Sequence, residues 1–423
     1  MSLYLPTLIS CSYSDVCSDL HMLRAISLET YSSVLEADVG LKEAARDRFE
    51  SVEAELQEIS HWMYHNPEIA FEEHNTSARL VEFLRSNGFE VEYPAFGLDT
   101  AFAARAGTEG PEVVICAEYD ALPEVGHACG HNVFATAALG AGVALVDAAV
   151  ELGFRVRVQG TPAEEAYGGK VDLINNGAFE GATLSMMIHP SPSDVVDPAF
   201  LGVAHVDVEF HGKESHAAFA PQLATNALDA AVQAYVNIST LRQALYPTDK
   251  IHGVITYGGG APNVIPAFTS MAWYVRAGTK ERLEELYGKV VACFDAAALA
   301  TGCTVEVKKL GHTYTDLISD PLMIDLDHAN STELGRPMGR GADKDPGAAG
   351  STDLGNVSHE VPSIHPMIDI KCLPAVNHQK EFAAATVEPP GDAAIRDGAL
   401  AMAWTAIDIA AGNRWDELRT IEK

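Results

Sequence analysis

The sequence predicts an α/β fold: a mixed, mainly parallel sheet domain interrupted by an inserted ferredoxin-like (βαββαβ) domain. Three observations carry this. The chain has 423 residues, 47% hydrophobic and 21% charged, a globular composition long enough for two or three domains at about 100–200 residues each. A continuous apolar run at 113–117, an Ala-rich helical stretch and an alternating strand follow one another as a βαβ unit. From about residue 201 the pattern changes to strand, helix, two strands, helix, strand, the order of a ferredoxin-like sandwich.

Each element has its own reason. Residues 1–38 show no sustained period and are left as a tail of uncertain order. Leu41, Ala45, Phe49, Val52, Leu56, Ile59 and Met63 step by four or three, one apolar stripe on a single helix that stops near Asn66-Pro67. A second helix over 76–85 is closed by Asn87-Gly88. The 113–117 run is the kind of strand buried on both faces of a parallel sheet. After a loop, 133–152 reads as helix, Phe154, Val156 and Val158 alternate as a strand, and a further strand over 184–188 ends at His189-Pro190. In the insertion, Val206, Val208 and Phe210 alternate with Asp207 and Glu209. A helix spans 226–241, strands cover 251–257 and 269–276, and a helix opened by Thr279 closes at Gly302 before a strand through Val305 and Val307. The chain then returns to α/β: a helix start at Ser319-Asp320-Pro321, a Gly/Asp-rich loop over 339–350, a strand near 364–370 and a last helix over 393–411. The domains are therefore 39–200 with 311–423, and the insertion 201–310.

Composition excludes several functions. With 59 Asp+Glu against 28 Lys+Arg and a net charge of −31, the chain lacks the cationic surface that nucleic-acid binding requires. Seven scattered cysteines, an odd number, make a poor disulfide framework and fit a reducing, cytoplasmic setting. The N-terminus has no basic region and its apolar run is broken by Pro6, so no secretory signal is expected. No stretch has the ~18–20 uninterrupted apolar residues of a membrane span.

The densest chemistry lies in the loop after 113–117, where Cys129 and His131 stand two apart around a glycine. Thiolate and imidazole suit zinc, cobalt or manganese, yet taken alone the pair also fits a buried thiol beside a surface imidazole. Glu164 and Glu165 follow the next strand. Adjacent carboxylates there can divide the labour of holding a cation and moving a proton, or be two solvated glutamates. His189 ends a strand, and His378 sits in Asn377-His378-Gln379. Position joins them: Cys129, His131, Glu164, Glu165 and His189 all fall just past strands of one sheet, where open sheets place their ligand crevice. No nucleophile elbow, P-loop, dinucleotide fingerprint, His-Glu-x-x-His helix or deaminase signature is present. Metal-assisted hydrolysis remains.

At this point the chain resembles the M20 metallopeptidases, in their amidohydrolase branch. The resemblance covers about 45–415 and rests on His65-Asn66-Pro67-Glu68, Asp120-Ala-Leu-Pro123, His127-Ala-Cys-Gly-His131, Pro162-Ala-Glu-Glu165, His189-Pro190, Gly212-Lys-Glu-Ser-His-Ala217, Pro262-Asn-Val-Ile-Pro266 and Gly350-Ser-Thr-Asp353. The wording around Glu118 and Asn132 is most similar to the aminoacylase-1-like protein 2 subgroup, with aminobenzoyl-glutamate hydrolases also near. The resemblance implies two divalent ions per subunit, zinc first and manganese or cobalt as alternatives, held by Cys129, His131, Glu165, His189 and His378, with His365 the competitor for the last position. It implies Glu164 as general base, His216 as oxyanion stabiliser and Asp120 as the group orienting a ligand, with Asn263, Arg276, Ser351 and Thr352 meeting substrate. The substrate would be the amide bond of a dipeptide or N-acyl amino acid, with dipeptides ending in a basic residue suggested by the subgroup and N-acyl or aryl-acyl conjugates as runner-up. The inserted domain would form a homodimer or lid. Two departures from the branch, Glu118 and Asn132 where Asp is common, bear on metal affinity. A non-catalytic binding or assembly member is the reading from another class, and it is set against a full complement of competent residues.

Overall fold

The computed structural model describes residues 28–421 apart from 108 and 342–349, with side chains described from residue 39. The central sheet has six strands in the order Glu90–Glu92, Phe102–Gly107, Arg155–Gly160, Glu112–Ala117, Leu184–Met186, Ser363–Ile364. The first two pairings are antiparallel and the other three parallel. Glu112–Ala117 lies inside the sheet with every residue buried, as a continuous apolar run requires. The helix His131–Leu152 returns the chain between two parallel neighbours. It is long and apolar enough to cross a membrane by composition, but 83% of its apolar window is buried inside the protein; it is a core helix, packed among Phe49, Leu56, Val158 and Trp404.

The sequence-predicted single helix through Leu41 and Met63 is two helices, Leu28–Glu50 and Glu53–His65. The Ser51 hydroxyl donates to the Arg48 carbonyl at 2.6 Å, a local bond that competes with helix continuation. The apolar stripe survives the break, since Phe49, Leu56, Ile59 and Met63 are all buried. The first helix also starts at Leu28, earlier than the expected stripe from Leu41. The rest of the expected tail, 1–27, and most of the Gly/Asp-rich loop, 342–349, lie outside the described residues. The expected strand over 364–370 is two short ones: Ser363–Ile364 pairs with the central sheet, and Met367–Asp369 pairs in parallel with His189–Ser191.

The insertion has the order Gly202–His211, Ala227–Leu241, Lys250–Tyr257, Phe268–Ala277, Lys280–Thr301, Thr304–Tyr314. Its four strands run antiparallel with the first strand between the fourth and third, and the second at the edge. Thr279 caps the second helix by accepting from the Arg282 amide at 3.2 Å, and Gly302 ends it with φ +76°. Phe210, Trp273 and Phe294 fill a core separate from that of the first domain. The opposite face of the sheet, through Val203, His205, Tyr274 and Arg276, lines a cavity shared with the first domain.

Candidate metal centre

The site is built on the ends of the parallel strands. Glu112–Ala117 delivers Glu118 and Asp120. The loop then reaches Gly130, with φ +87°, where a Cβ would stand 2.8 Å from Pro190 Cβ. Only glycine fits between Cys129 and His131. Arg155–Gly160 delivers Glu164 and Glu165 after Ala163, a non-glycine residue at φ +62°. Leu184–Met186 leads to His189 and Ser363–Ile364 to His365. His378 lies beyond, also left-handed at φ +71°, its amide held by the Ala128 carbonyl at 2.8 Å.

These side chains converge. The ligand atoms of Cys129, His131 and His189 lie within 4.8 Å of one another, as do those of Cys129, Glu165 and His378, and those of Glu118, His131 and Glu164. Cys129 belongs to the first two sets, so its sulfur stands where one thiolate can serve two ions; it is 3.4 Å from His189 Nε2. His131 Nδ1 contacts the Asp120 carbonyl at 2.8 Å and its Oδ1 at 3.0 Å, which leaves Nε2 aimed inward. Asp120 Oδ2 accepts the Glu165 amide at 3.0 Å. Glu165 Oε1 is 4.0 Å from His131 Nε2, and its Oε2 is 3.7 Å from His378 Nε2. His131 Nε2, Glu165 Oε1 and Glu118 Oε2 are buried and make no well-formed hydrogen bond, the first and last facing each other at 3.2 Å. Orphaned nitrogen and oxygen atoms around a buried thiol are the donor set a divalent ion of borderline softness requires, and the residues fit such an ion.

The electrostatics agree. Burial, then the charges of Glu118 and Glu165, push the Glu164 carboxyl well above the usual range. Burial and Glu165 do the same to the Cys129 thiol. Burial and the nearby His131 push His189 down to about 3. Burial works against the imidazolium of His131, but the hydrogen bond and charge of Asp120 outweigh it and raise its pKa. A bound cation inverts the first two effects by stabilising thiolate and carboxylate.

Of the residues expected at the site, Cys129, Glu164, Glu165, His189, Arg276, Ser351, Thr352 and His378 line one cavity of about 560 Å³. His131 and Asp120 lie immediately behind it. His365 also borders the cavity, but its ring stands edge-on to His189, 5.6 Å between centroids, and against Phe200. It joins none of the ligand sets found among the described residues, whereas His378 does. His216 and Asn263 are not brought there: both are exposed on the insertion, away from this cavity. Their strand segments pair with each other instead, the Ala217 amide donating to the Asn263 carbonyl at 3.0 Å.

Sequence reasoning missed a buried charge cluster under the site. Lys170 is fully buried and its ammonium donates to Glu118 and, at 2.7 Å, to Asp353, whose other oxygen accepts the Lys170 amide at 2.9 Å. Burial disfavours the ammonium, yet the Asp353 and Glu118 charges hold its pKa above the ordinary value. Glu118 Oε2 is then 3.2 Å from His131 Nε2. The signal was faint: a lysine after two glycines, 52 and 183 residues from its two acids in the chain.

Comparison with known proteins fits this architecture. Residues 200–301 match the M20 peptidase dimerisation domain. The chain is 40% identical over 397 residues to the Xaa-Arg dipeptidase of Mus musculus, covering 89% of this chain and 90% of that one. It is 29% identical over 283 residues to a component chain of the p-aminobenzoyl-glutamate hydrolase of Escherichia coli (strain K12), covering 61% and 59%. In fold it is similar to a dinuclear metal binding peptidase of the M20 family from Bacillus subtilis, with TM-score 0.61, 21% identity, and 84% and 98% of the two chains covered. It is likewise similar to an aminobenzoyl-glutamate utilization protein from Klebsiella pneumoniae, with TM-score 0.67, 16% identity, and 86% and 97% covered. The class that fold and relatives define is the hydrolases of carbon–nitrogen bonds. Within it, the chain belongs to the M20 peptidase family.

Proposed function

We propose that the protein is a metal-dependent hydrolase of the amide bond in a dipeptide or N-acyl amino acid, with dipeptides ending in a basic residue as its preferred substrates. The observation that carries this reading is the convergence of Cys129, Glu165, His189 and His378 beside Glu164 in one cavity, with His131 directly behind them in two of the same ligand sets. The substrate preference is supported by the name of the Xaa-Arg dipeptidase relative. Two divalent ions per subunit, zinc first and manganese or cobalt as alternatives, would be held by those five residues and, when bound, supply Lewis acidity that polarises the amide carbonyl and eases ionisation of water. His378 rather than His365 completes the set in this reading.

The chain's own groups do the rest. Glu164 takes a proton from the attacking water as the new carbon–oxygen bond forms, then delivers it to the amine nitrogen as the carbon–nitrogen bond breaks. Asp120 fixes the His131 tautomer and, through the Glu165 amide, the neighbouring turn. Arg276 is half-buried in the cavity wall, forms no ion pair among the described residues and donates to Ser351 Oγ at 2.6 Å. With Ser351 and Thr352 it receives the substrate carboxylate.

His216 and Asn263 act across a homodimer in this reading. The insertion exposes Val232, Tyr235 and Val236 on a helix beside Val254, Ile255 and Tyr257 on an edge strand, a face suited to pairing with its own copy. Cytoplasmic localisation is supported by the free state of the five described cysteines. Hydrolysis of aryl-acyl conjugates is the second reading, favoured by Phe200, Tyr274 and Tyr314 on the cavity wall. One experiment tests both: the purified protein is offered Xaa-Arg dipeptides, N-acyl amino acids and p-aminobenzoyl-glutamate, before and after chelation and with Zn²⁺, Mn²⁺ or Co²⁺ restored. Cleavage lost with chelator and regained with metal is expected. Metal-loaded protein that cleaves none of the panel overturns the reading.

A further inference from the structure

We propose that Glu73 is a positioning residue that aims Glu164 by clamping the backbone amide of Ala163, an inference that rests on Glu164 being the proton carrier. Ala163 immediately precedes Glu164 and stands at φ +62°, a left-handed conformation unfavourable for any residue bearing a Cβ. Such a turn persists only where its surroundings impose it. Its amide donates to Glu73 Oε1 at 3.0 Å from a carboxylate ninety positions earlier in the chain.

Glu73 is itself fixed. It is fully buried, and its second oxygen accepts from Thr100 Oγ1 at 2.9 Å. The Thr100 carbonyl in turn accepts from Tyr119 Oη at 2.7 Å, next to Asp120 in sequence. Three other backbone groups of the turn also have partners. The Ala163 carbonyl accepts from the Gly168 amide at 2.9 Å, the Glu164 carbonyl accepts from Tyr314 Oη, and the Glu165 amide donates to Asp120 at 3.0 Å. Glu73 alone holds the amide that enters the turn.

Its chemistry points to this role and not to another. Among the described residues Glu73 forms no ion pair and joins no ligand set, and both oxygens already accept hydrogen bonds. Burial and the Asp120 charge raise the Glu73 carboxyl to about 7, and neutral or ionised it keeps a carbonyl-type oxygen able to accept from the Ala163 amide. Without Glu73 the Ala163 amide has no acceptor and the turn relaxes toward an ordinary φ. The Glu164 carboxylate then swings away from the attacking water.

The test uses the metal-loaded protein and a dipeptide that the wild type cleaves. Glu73→Ala is expected to lower kcat by about 10–100-fold, the range that displacing a reacting group by about 1 Å produces. KM and metal content should stay near wild type, because the Glu165 amide is held independently by Asp120. Glu73→Gln keeps the acceptor for Ala163 and can donate to Thr100, so it recovers most of the loss. Glu73→Ala combined with Ala163→Gly recovers part of it, since glycine adopts the left-handed turn unaided. Hydrogen exchange of the Ala163 amide, faster in Glu73→Ala and restored in Glu73→Gln, reads the clamp without any turnover. If Glu73→Ala does not fold, Thr100→Val gives the milder version, with a smaller drop in kcat and faster exchange. The inference is overturned by Glu73→Ala at wild-type kcat, by Glu73→Gln as impaired as Glu73→Ala, or by exchange at Ala163 indifferent to both. A wild type that cleaves nothing, or Glu164→Gln at full rate, instead sinks the reading of the function and leaves the exchange result to judge the clamp.

Discussion

The two domains spend their interiors differently. The first buries Glu118, Asp120, His127, His131, Asn132, Lys170, His189, Asp353 and His365 around the ends of its parallel strands, whereas the insertion buries little that is polar beyond Asp249 and Thr269. The insertion instead leaves apolar residues outside, Val254 at 59% exposure and Val236 at 50% among them. A domain built for chemistry accepts charge and backbone strain inside, where low polarity strengthens every electrostatic contact. A domain built to pack and pair keeps its core apolar and carries its unsatisfied surface outward.

The sharpest way to break that contrast is at Glu164. Glu164→Gln should cut kcat by about 10²–10⁴-fold, while metal content and melting temperature hold, as measured by turnover, metal analysis and calorimetry. A comparable kcat loss from any insertion-core variant that stays folded would blur the division. Trp273→Ala addresses that core: Trp273 is fully buried beside Tyr235 and Phe294, and its truncation should cost about 3–5 kcal/mol in denaturant unfolding. Ligand-set residues are untouched, so metal content per folded chain should not fall. On the exposed edge strand, Val254→Asp should weaken self-association by about 10-fold or more in sedimentation, since a charge desolvated in an apolar interface lacks a partner. Its melting temperature at low protein concentration should barely move.

A further effect lies away from the site. Asp327 is fully buried in the first domain and faces no cation among the described residues, with only the Ser331 hydroxyl near enough to offset burial. Burial pushes its pKa from 3.8 up to about 7. Because the folded state prefers the protonated form, the stability this group contributes is complete below about pH 4 and is lost as pH rises through 7. Asp327→Asn, neutral throughout, should therefore raise the melting temperature at pH 8 and lose that advantage by pH 4. A gain equal at both values would show that the carboxylate is ionised in the native state across the range.

Much of this was legible in the sequence where a pattern is local. The alternation of Val206, Val208 and Phe210, and the Thr279 and Gly302 boundaries, marked the first strand and second helix of the insertion, although its last strand runs to Tyr314, past the expected end at 310. The run at 113–117 marked the inner parallel strand, and the histidines and acids past the strand ends converge as sheet topology requires. The break at Ser51 was not legible, since one serine hydroxyl interrupts a helix whose apolar stripe runs on unbroken. Nor were Glu73 and Lys170, whose meaning lies in partners dozens of residues away: one of two adjacent glutamates before a helix, or a lysine among glycines, has no local signature. His216 and Asn263 were read as site residues from their motifs, but motif position does not reveal that a side chain faces away from its own chain's cavity.

The insertion has a temporal consequence. It leaves the first domain after Leu201 and returns at Tyr314 beside its own starting strand, with Tyr314 paired to Val203. During synthesis the insertion emerges whole and can fold as a contiguous unit while the surrounding sheet still lacks Ser363–Ile364. At about 5–20 residues per second, the ribosome holds the nascent chain for some seconds with Cys129, His131, Glu165 and His189 made and His378 not. In that interval the candidate ligand set lacks His378, and only the last stretch of translation supplies it.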